Sequence, residues 1–261
     1  MEYIEPEEAR HLPGLKLALT VGVPGPWGES AKKVLEFKGV DYVPVAQHAS
    51  QPNESLVEWT GIRNAPILIF EDEPPRTNFQ DIVAFAERLQ PEPRLLPDDP
   101  VDRLLCLGIS AEICGEGGFG WKRRHVMRDA HKARPAEAPP VGNPGLDRRT
   151  MAKAYGGTEA EAADSPRYLA AMLDALAERL EAQRARGSSY FVGNSVTACD
   201  IHWACFSALL DPMPHEVNPM PDWLRVSYSY LGPVLEQHKH PILLEHRDHM
   251  FHAHLGLPLD Y

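Results

Sequence analysis

From residue 15 the chain alternates, with Leu15, Leu17, Leu19 and Val21 set against Lys16, Ala18 and Thr20, the period of two that a strand requires. A loop rich in glycine and proline follows. From Ser30 the period lengthens, so that Ala31, Val34, Leu35 and Lys38 share a helical face, and Gly39 is placed to end that helix in a left-handed conformation. Residues 41–46 (DYVPVA) predict a second strand, and Pro44 within it removes a ladder donor and so predicts an edge position. Residues 53–60 predict a short helix. Pro66 then opens the apolar strand ILIF (67–70), and the polar turn EDEPPRT leads to a helix whose face is Ile82, Phe85, Ala86 and Leu89, at i, i+3, i+4 and i+7. Strands alternating with helices make the first 90 residues α/β.

Beyond that point the strand signal fades. The stretch QPEPRLLPDDP (90–100) holds four prolines in eleven residues, which forbids continuous helix and suits a linker. Residues 101–114 and 165–187 carry helical periodicity, the second ending in arginines and a glycine. Within residues 193–210, the helix that starts at Thr197 carries Ile201, Ala204, Cys205, Ala208 and Leu209 on one face and Trp203 and Phe206 elsewhere, so it is apolar nearly all round, hence a core helix, with His202 inside it. The C-terminal part is therefore expected to be all-α. Between the first two helices, 115–164 is rich in glycine, proline and charge and longer than an ordinary connection, as lids or disordered segments are.

Composition narrows the function classes. With 43% hydrophobic and 24% charged residues in 261, the chain is globular and long enough for two modest domains. A formal net charge of -11 argues against nucleic-acid or anionic-membrane partners, whose phosphates demand lysine and arginine. The opening MEYIEPEEAR is acidic and broken by Pro6, unlike a secretory signal, and no apolar run approaches the roughly 20 residues of a membrane span. A cytoplasmic protein with no membrane role is expected. The four cysteines, Cys106, Cys114, Cys199 and Cys205, show no CxxC pair and are expected to be reduced and mostly buried.

Three local motifs carry a family resemblance. Strand, proline-containing loop and a helix ending in FKGVDY (37–42) look like the first strand-helix unit of the glutathione S-transferases. NAPILIF (64–70) resembles that family's third strand, whose proline lies in a cis peptide bond. GNSVTACDIHWACFSALL (193–210) is similar to the family's buried helix and its capping box, in which Thr197 caps the amide three residues on and Asp200 reaches back to the amide of Thr197. The resemblance implies a thioredoxin-like domain over 12–90, a linker over 91–100, and an all-helical bundle over 101–261 with a long insertion at about 115–164. It also implies a homodimer.

The same resemblance implies a site. Glutathione chemistry needs a thiolate, and a free thiol titrates near 8.5, so the fold must supply help. The family places a serine or cysteine where this chain has Gly25, within Gly25-Pro26-Trp27-Gly28, and Gly25 can neither donate from a side chain nor attack. The remaining candidates for assisting the thiol are the Trp27 indole, the Gly28 amide, Ser30 and Thr20, with Ser30 read more simply as a helix cap. For binding, the backbone of Ala65, ahead of Pro66, pairs with the cysteinyl part of glutathione in the manner of an added strand. Gln80 and Asp81 stand where the family holds the γ-glutamyl group, although Asp81 also suits a helix N-terminus.

A second substrate, small and hydrophobic or anionic, is expected against Ile113, Phe119 and Trp121, beside the basic run Lys122, Arg123, Arg124 and Arg128, which otherwise reads as a solvated face. His246, His249 and His252 fall at helical spacing, but with no second motif they read as a surface histidine-rich helix rather than a metal site. The rival to a glutathione-dependent transferase is a non-catalytic module of the same fold, used for dimerisation or protein interaction.

Overall fold

The computed structural model describes residues 1–128, 130 and 158–261, so the middle of the predicted 115–164 insertion lies outside the described residues. The chain first forms the one-turn helix α1 (Pro6–Ala9), then strand β1 (Lys16–Thr20) and helix α2 (Pro26–Phe37). Strand β2 (Val43–Gln47), α3 (Glu54–Thr60), β3 (Ile67–Ile69) and α4 (Phe79–Leu89) complete the α/β layer. The sheet order is β2-β1-β3, with β2 parallel and β3 antiparallel to β1. Pro44 lies in an outer strand as expected, its carbonyl accepting from Ile4 at 3.0 Å.

The alternation in β1 has a physical use that differs from a half-exposed strand. Leu15, Leu17 and Leu19 join the core beneath α2 and α4. Ala18 points the other way, into a smaller cluster with Ala9 of α1 and Leu56 of α3. Both faces of β1 are covered, and even Lys16 is buried. The sheet extends past β3 by a single antiparallel bridge, Leu68 to Arg76.

The helical half begins with α5 (Pro100–Cys114) and α6 (Phe119–Met127), and continues after the undescribed residues with α7 (Glu159–Arg184). Helices α8 (Ala198–Phe206), α9 (Asp222–Ser229), α10 (Gly232–Leu235) and α11 (Pro241–Met250) follow. Helix α8 is buried along its whole length, as its apolar circumference predicts. Its first turn is held by the expected capping box: the Thr197 amide and hydroxyl donate to Asp200 Oδ2 at 2.9 and 2.7 Å.

The proline-rich stretch between the halves is tied down. Lys38 Nζ, wholly buried, donates to Glu87 Oε1 and to the carbonyls of Pro91 and Pro93 at 2.5, 3.1 and 2.7 Å. Glu87 also receives the Leu95 amide, and the Leu95 carbonyl takes the Ala198 amide of α8. All four cysteines are free and buried, in line with the sequence.

Three expectations need correction. Helix α2 starts at Pro26 rather than Ser30: Gly25 is the N-cap, Pro26 fills the first position where no amide is needed, and Ser30 bonds back to the Trp27 carbonyl at 3.0 Å instead of capping. The basic run is not one solvated face, because Arg123 is fully buried and donates to the carbonyls of Leu209, Tyr228 and Tyr230. Its desolvated guanidinium is held down to about 9. The C-terminal histidines are not a surface set either, since His246 is buried against Asp200 and only His252 is exposed.

Candidate functional site

Helix α2 presents its N-terminus at the C-terminal end of β1, where the loop 21–25 turns the chain. The Trp27 and Gly28 amides lie in its first turn and make no hydrogen bond within the described residues, because their intrahelical acceptors would precede the helix. Two donors and the positive end of a twelve-residue helix are thus available to an anion.

The Ala65-Pro66 peptide bond is cis. Pro66 is buried and Ala65 is half-buried, and neither the amide nor the carbonyl of Ala65 is used by the described chain. Those groups follow the short loop into β3 and sit at the sheet end shared with α2. Helix α4 opens nearby, its first turn capped by Asn78, whose Oδ1 accepts from the Gln80 amide at 2.8 Å. With the cap already supplied, the exposed side chains of Gln80 and Asp81 make no hydrogen bond within the described residues.

A cavity of about 10 Å³, the scale of one water, joins these pieces and is lined by Trp27, Ser30, Pro66, Thr77, Phe79 and His202, among others. It therefore brings Trp27, Ser30 and Pro66 together, while Thr20, Gly28, Ala65, Gln80 and Asp81 lie outside its wall. His202, which the sequence marks only as a histidine inside a core helix, is the residue the structure adds to the site. It is the one strongly polar side chain in the apolar run 201–206, which is the signal that marks it. Its Nδ1 pairs with Ser110 Oγ at 2.9 Å, its ring meets Phe79 edge-on at 5.5 Å, and burial depresses its pKa to about 3, so it is neutral at ordinary pH.

Each side-chain donor proposed to assist the thiol has another partner. Thr20 Oγ1 donates to Gln47 at 2.7 Å, across the β1–β2 pair. Ser30 is turned into its own helix. The Trp27 indole N–H donates to the carbonyl of Cys114 at 2.8 Å, which fastens α2 to the C-terminus of α5. Its ring stands edge-on to Phe206 at 4.8 Å and to Trp121 at 6.3 Å. A Cβ on Gly120 would lie 2.7 Å from that indole, so the contact requires glycine at this position on α6. Trp27 is a tie between the two halves. The backbone of α2 is what remains for a ligand.

Of the expected second-substrate wall, Ile113 and Phe119 are fully buried in the core. Trp121 is half-buried beside Trp27, and the Arg124 guanidinium lies over both indoles, 4.3 Å from Trp27 and 4.6 Å from Trp121. This places a cation between the halves, next to the start of α2.

A thioredoxin-like layer with a cis proline facing the start of α2, joined to a helical bundle whose central helix carries a capping box, is the glutathione S-transferase fold. A glutathione S-transferase from Methylobacillus flagellatus with glutathione bound superposes with a TM-score of 0.60 at 16% identity, over 90% of this chain and 94% of that one. One from Methylobacterium radiotolerans, in complex with glutathione sulfonate, gives 0.58 at 16% identity, over 95% and 97%. The Tau class enzyme from mango, Mangifera indica, gives 0.53 at 16% identity, over 90% and 96%. No protein-family model matches the sequence, and no curated protein matches it. Among the described residues, no helix is long and apolar enough to cross a membrane.

Proposed function

We propose that the chain binds glutathione between the start of α2, the Ala65-Pro66 segment and the start of α4, and transfers it, through its sulfur, to a small hydrophobic or anionic electrophile. In this reading 12–90 forms the glutathione-binding domain, 91–100 the linker and 101–261 the helical domain, and two copies associate. The observation that carries it is the pair of unused backbone groups on Ala65 next to a helix end whose Trp27 and Gly28 amides lack acceptors. The tripeptide pairs with Ala65 as an added strand. Its cysteinyl sulfur lies at the helix end, where the amides and the partial positive charge favour the thiolate. The thiol proton leaves to solvent, the sulfur lone pair forms the new bond to the electrophilic carbon, and the leaving group departs with the old bonding pair. Arg124, stacked on Trp27 and Trp121, adds attraction for an anionic substrate.

The test is retention on immobilised glutathione with competitive elution, backed by calorimetry. No measurable affinity at millimolar glutathione would remove the proposal. One observation favours a non-catalytic module of the same fold: Gly25 has no side chain, and the hydroxyls of Thr20 and Ser30 and the Trp27 indole are all committed elsewhere. A panel of electrophiles and peroxides separates the two readings. Glutathione binding without turnover on any of them supports the module.

A further inference from the structure

Outside the residues that line the cavity at the α2 terminus, Asp174 of α7 meets two histidines from the segment that leads into α11. Asp174 Oδ1 receives His238 Nδ1 at 2.7 Å and His240 Nε2 at 2.6 Å. One donor atom from each of the three residues lies within 4.8 Å of the other two. Among the described residues this is the one set of three or more His, Cys, Asp or Glu so arranged.

From this geometry we propose that Asp174, His238 and His240 form a binding site for a zinc-class divalent cation. Two imidazoles and one carboxylate are the donor set that borderline transition ions take, and three protein ligands leave a further position for water. Tetrahedral bonds of about 2.0–2.1 Å separate ligand atoms by about 3.3 Å. The two Asp174–histidine spacings are some 0.6–0.7 Å shorter, as hydrogen bonds are, and the two histidine nitrogens lie within 4.8 Å of each other. All three side chains are between 30% and 40% exposed, so they can open by that amount without disturbing the core.

The charges around the triad favour a cation. Along α7, the positions one turn to either side of Asp174 are Ala170, Ala171, Ala177 and Glu178, so no lysine or arginine of that helix competes for it. Lys239 sits between the two histidines in sequence, but its ammonium pairs with Asp211 at 2.9 Å. His240 also borders an open groove with Glu181, Arg184 and Glu245, the last two paired at 2.8 Å, which gives an ion a path from solvent. A bound ion would clamp the turn Glu236–His238 and the N-cap of α11 onto α7. Helix α11 in turn supplies His246 to Asp200, so the clamp would secure the packing of α8.

The His246, His249 and His252 run, which has the more suggestive spacing, does not form such a set: His246 is engaged by Asp200, and His252 points to solvent. Ligand residues here come from two segments more than sixty positions apart, which no local motif records.

The experiment uses the full chain without a histidine tag, stripped with chelator, and titrates Zn²⁺ by calorimetry and Co²⁺ by visible absorption. Expected are about one equivalent of Zn²⁺, the d–d bands of a low-coordinate Co²⁺ site, and a rise in melting temperature on adding Zn²⁺. His240→Ala and Asp174→Asn should each weaken binding at least about tenfold and abolish the rise, with helical content unchanged. His252→Ala should leave both intact and controls for adventitious surface binding. Absence of Zn²⁺ binding overturns the proposal. So does binding that survives the His240 and Asp174 substitutions, or that falls with His252→Ala alone. Equal affinity for Ca²⁺ or Mg²⁺ would also overturn it, since hard cations prefer all-oxygen sites.

Discussion

Asp200 is fully buried yet accepts four hydrogen bonds: from the Thr197 amide and hydroxyl at one oxygen, and from the Phe191 amide at 2.8 Å and His246 Nε2 at 2.9 Å at the other. A buried carboxylate without partners would be costly, whereas this one organises three segments. Asp200→Ala leaves those donors unpaired and is expected to cost about 3–5 kcal/mol in urea unfolding, with Asp200→Asn costing less because one acceptor oxygen remains. The capping half of this arrangement was legible in the sequence, because Thr197 and Asp200 are three residues apart. The His246 half was not, since the partners lie 46 positions apart and the histidine spacing suggested a surface helix. His202 yields a pH prediction. Its pKa is depressed to about 3 by burial, against about 6.5 in the unfolded chain, so between those values the unfolded state binds more protons. Stability from this group is complete above about pH 6.5 and is lost as pH falls toward 3, at up to about 1.4 kcal/mol per pH unit. In His202→Asn the unfolding free energy should fall less steeply over that window. Parallel acid profiles for the two proteins would refute this.

At the scale of elements, the start of α2 is where sequence and structure part. Glycine and proline at 25, 26 and 28 conceal a first helical turn, because both residues read as loop formers, and the amphipathic pattern becomes visible only at Ala31. The three-strand, three-helix order of this layer was legible because most of those segments have clean periods of two or 3.6. The role of Trp27 was not, since its partner carbonyl on Cys114 is 87 residues away. Gly25 is the informative position. Its φ of -65° and ψ of 127° suit any L-residue, and a Cβ there would meet no atom within 4 Å. Serine at an N-cap accepts from the second or third helical amide and keeps its own proton to donate. Gly25→Ser should therefore leave stability within a few tenths of a kcal/mol while raising glutathione conjugation by about tenfold to a hundredfold, the scale of one added donor. Steady-state rates with an activated aryl halide would read this. An unchanged kcat/KM and unchanged glutathione affinity would mean that the sulfur does not sit at this helix end. Gly120→Ala tests the opposite side of α2. The new methyl would lie 2.5 Å from Phe206 and 2.7 Å from Trp27, so the contact between α2 and α6 must loosen. A loss of about 1–3 kcal/mol, with a red-shifted tryptophan emission, is expected.

For the whole molecule, the question is what covers α5. Val101, Leu104 and Leu105 are exposed at 64%, 72% and 37%, and their i, i+3, i+4 spacing makes one stripe rather than scattered apolar residues. Gly108, one turn further along the same stripe, is exposed, and a Cβ there would meet open space, so another backbone could approach closely. The opposite face of the helix is already committed to the core through Cys106, Ser110 and Ile113. A stripe left outside a well-packed bundle fits the two-fold association proposed above, because a self-complementary patch needs only one surface on each copy. The wild-type chain is then expected to sediment as a dimer at micromolar concentration. Replacing Val101 and Leu104 together by glutamate puts four like charges across the two-fold interface of an already acidic protein and should yield a monomer, with circular dichroism unchanged. Glutathione affinity should persist in that monomer, because Trp27, Gly28 and Ala65 belong to one chain and lie on elements other than α5. A wild-type protein that stays monomeric at tens of micromolar would exclude α5 as the interface. A double variant that remains dimeric would move the contact to another face.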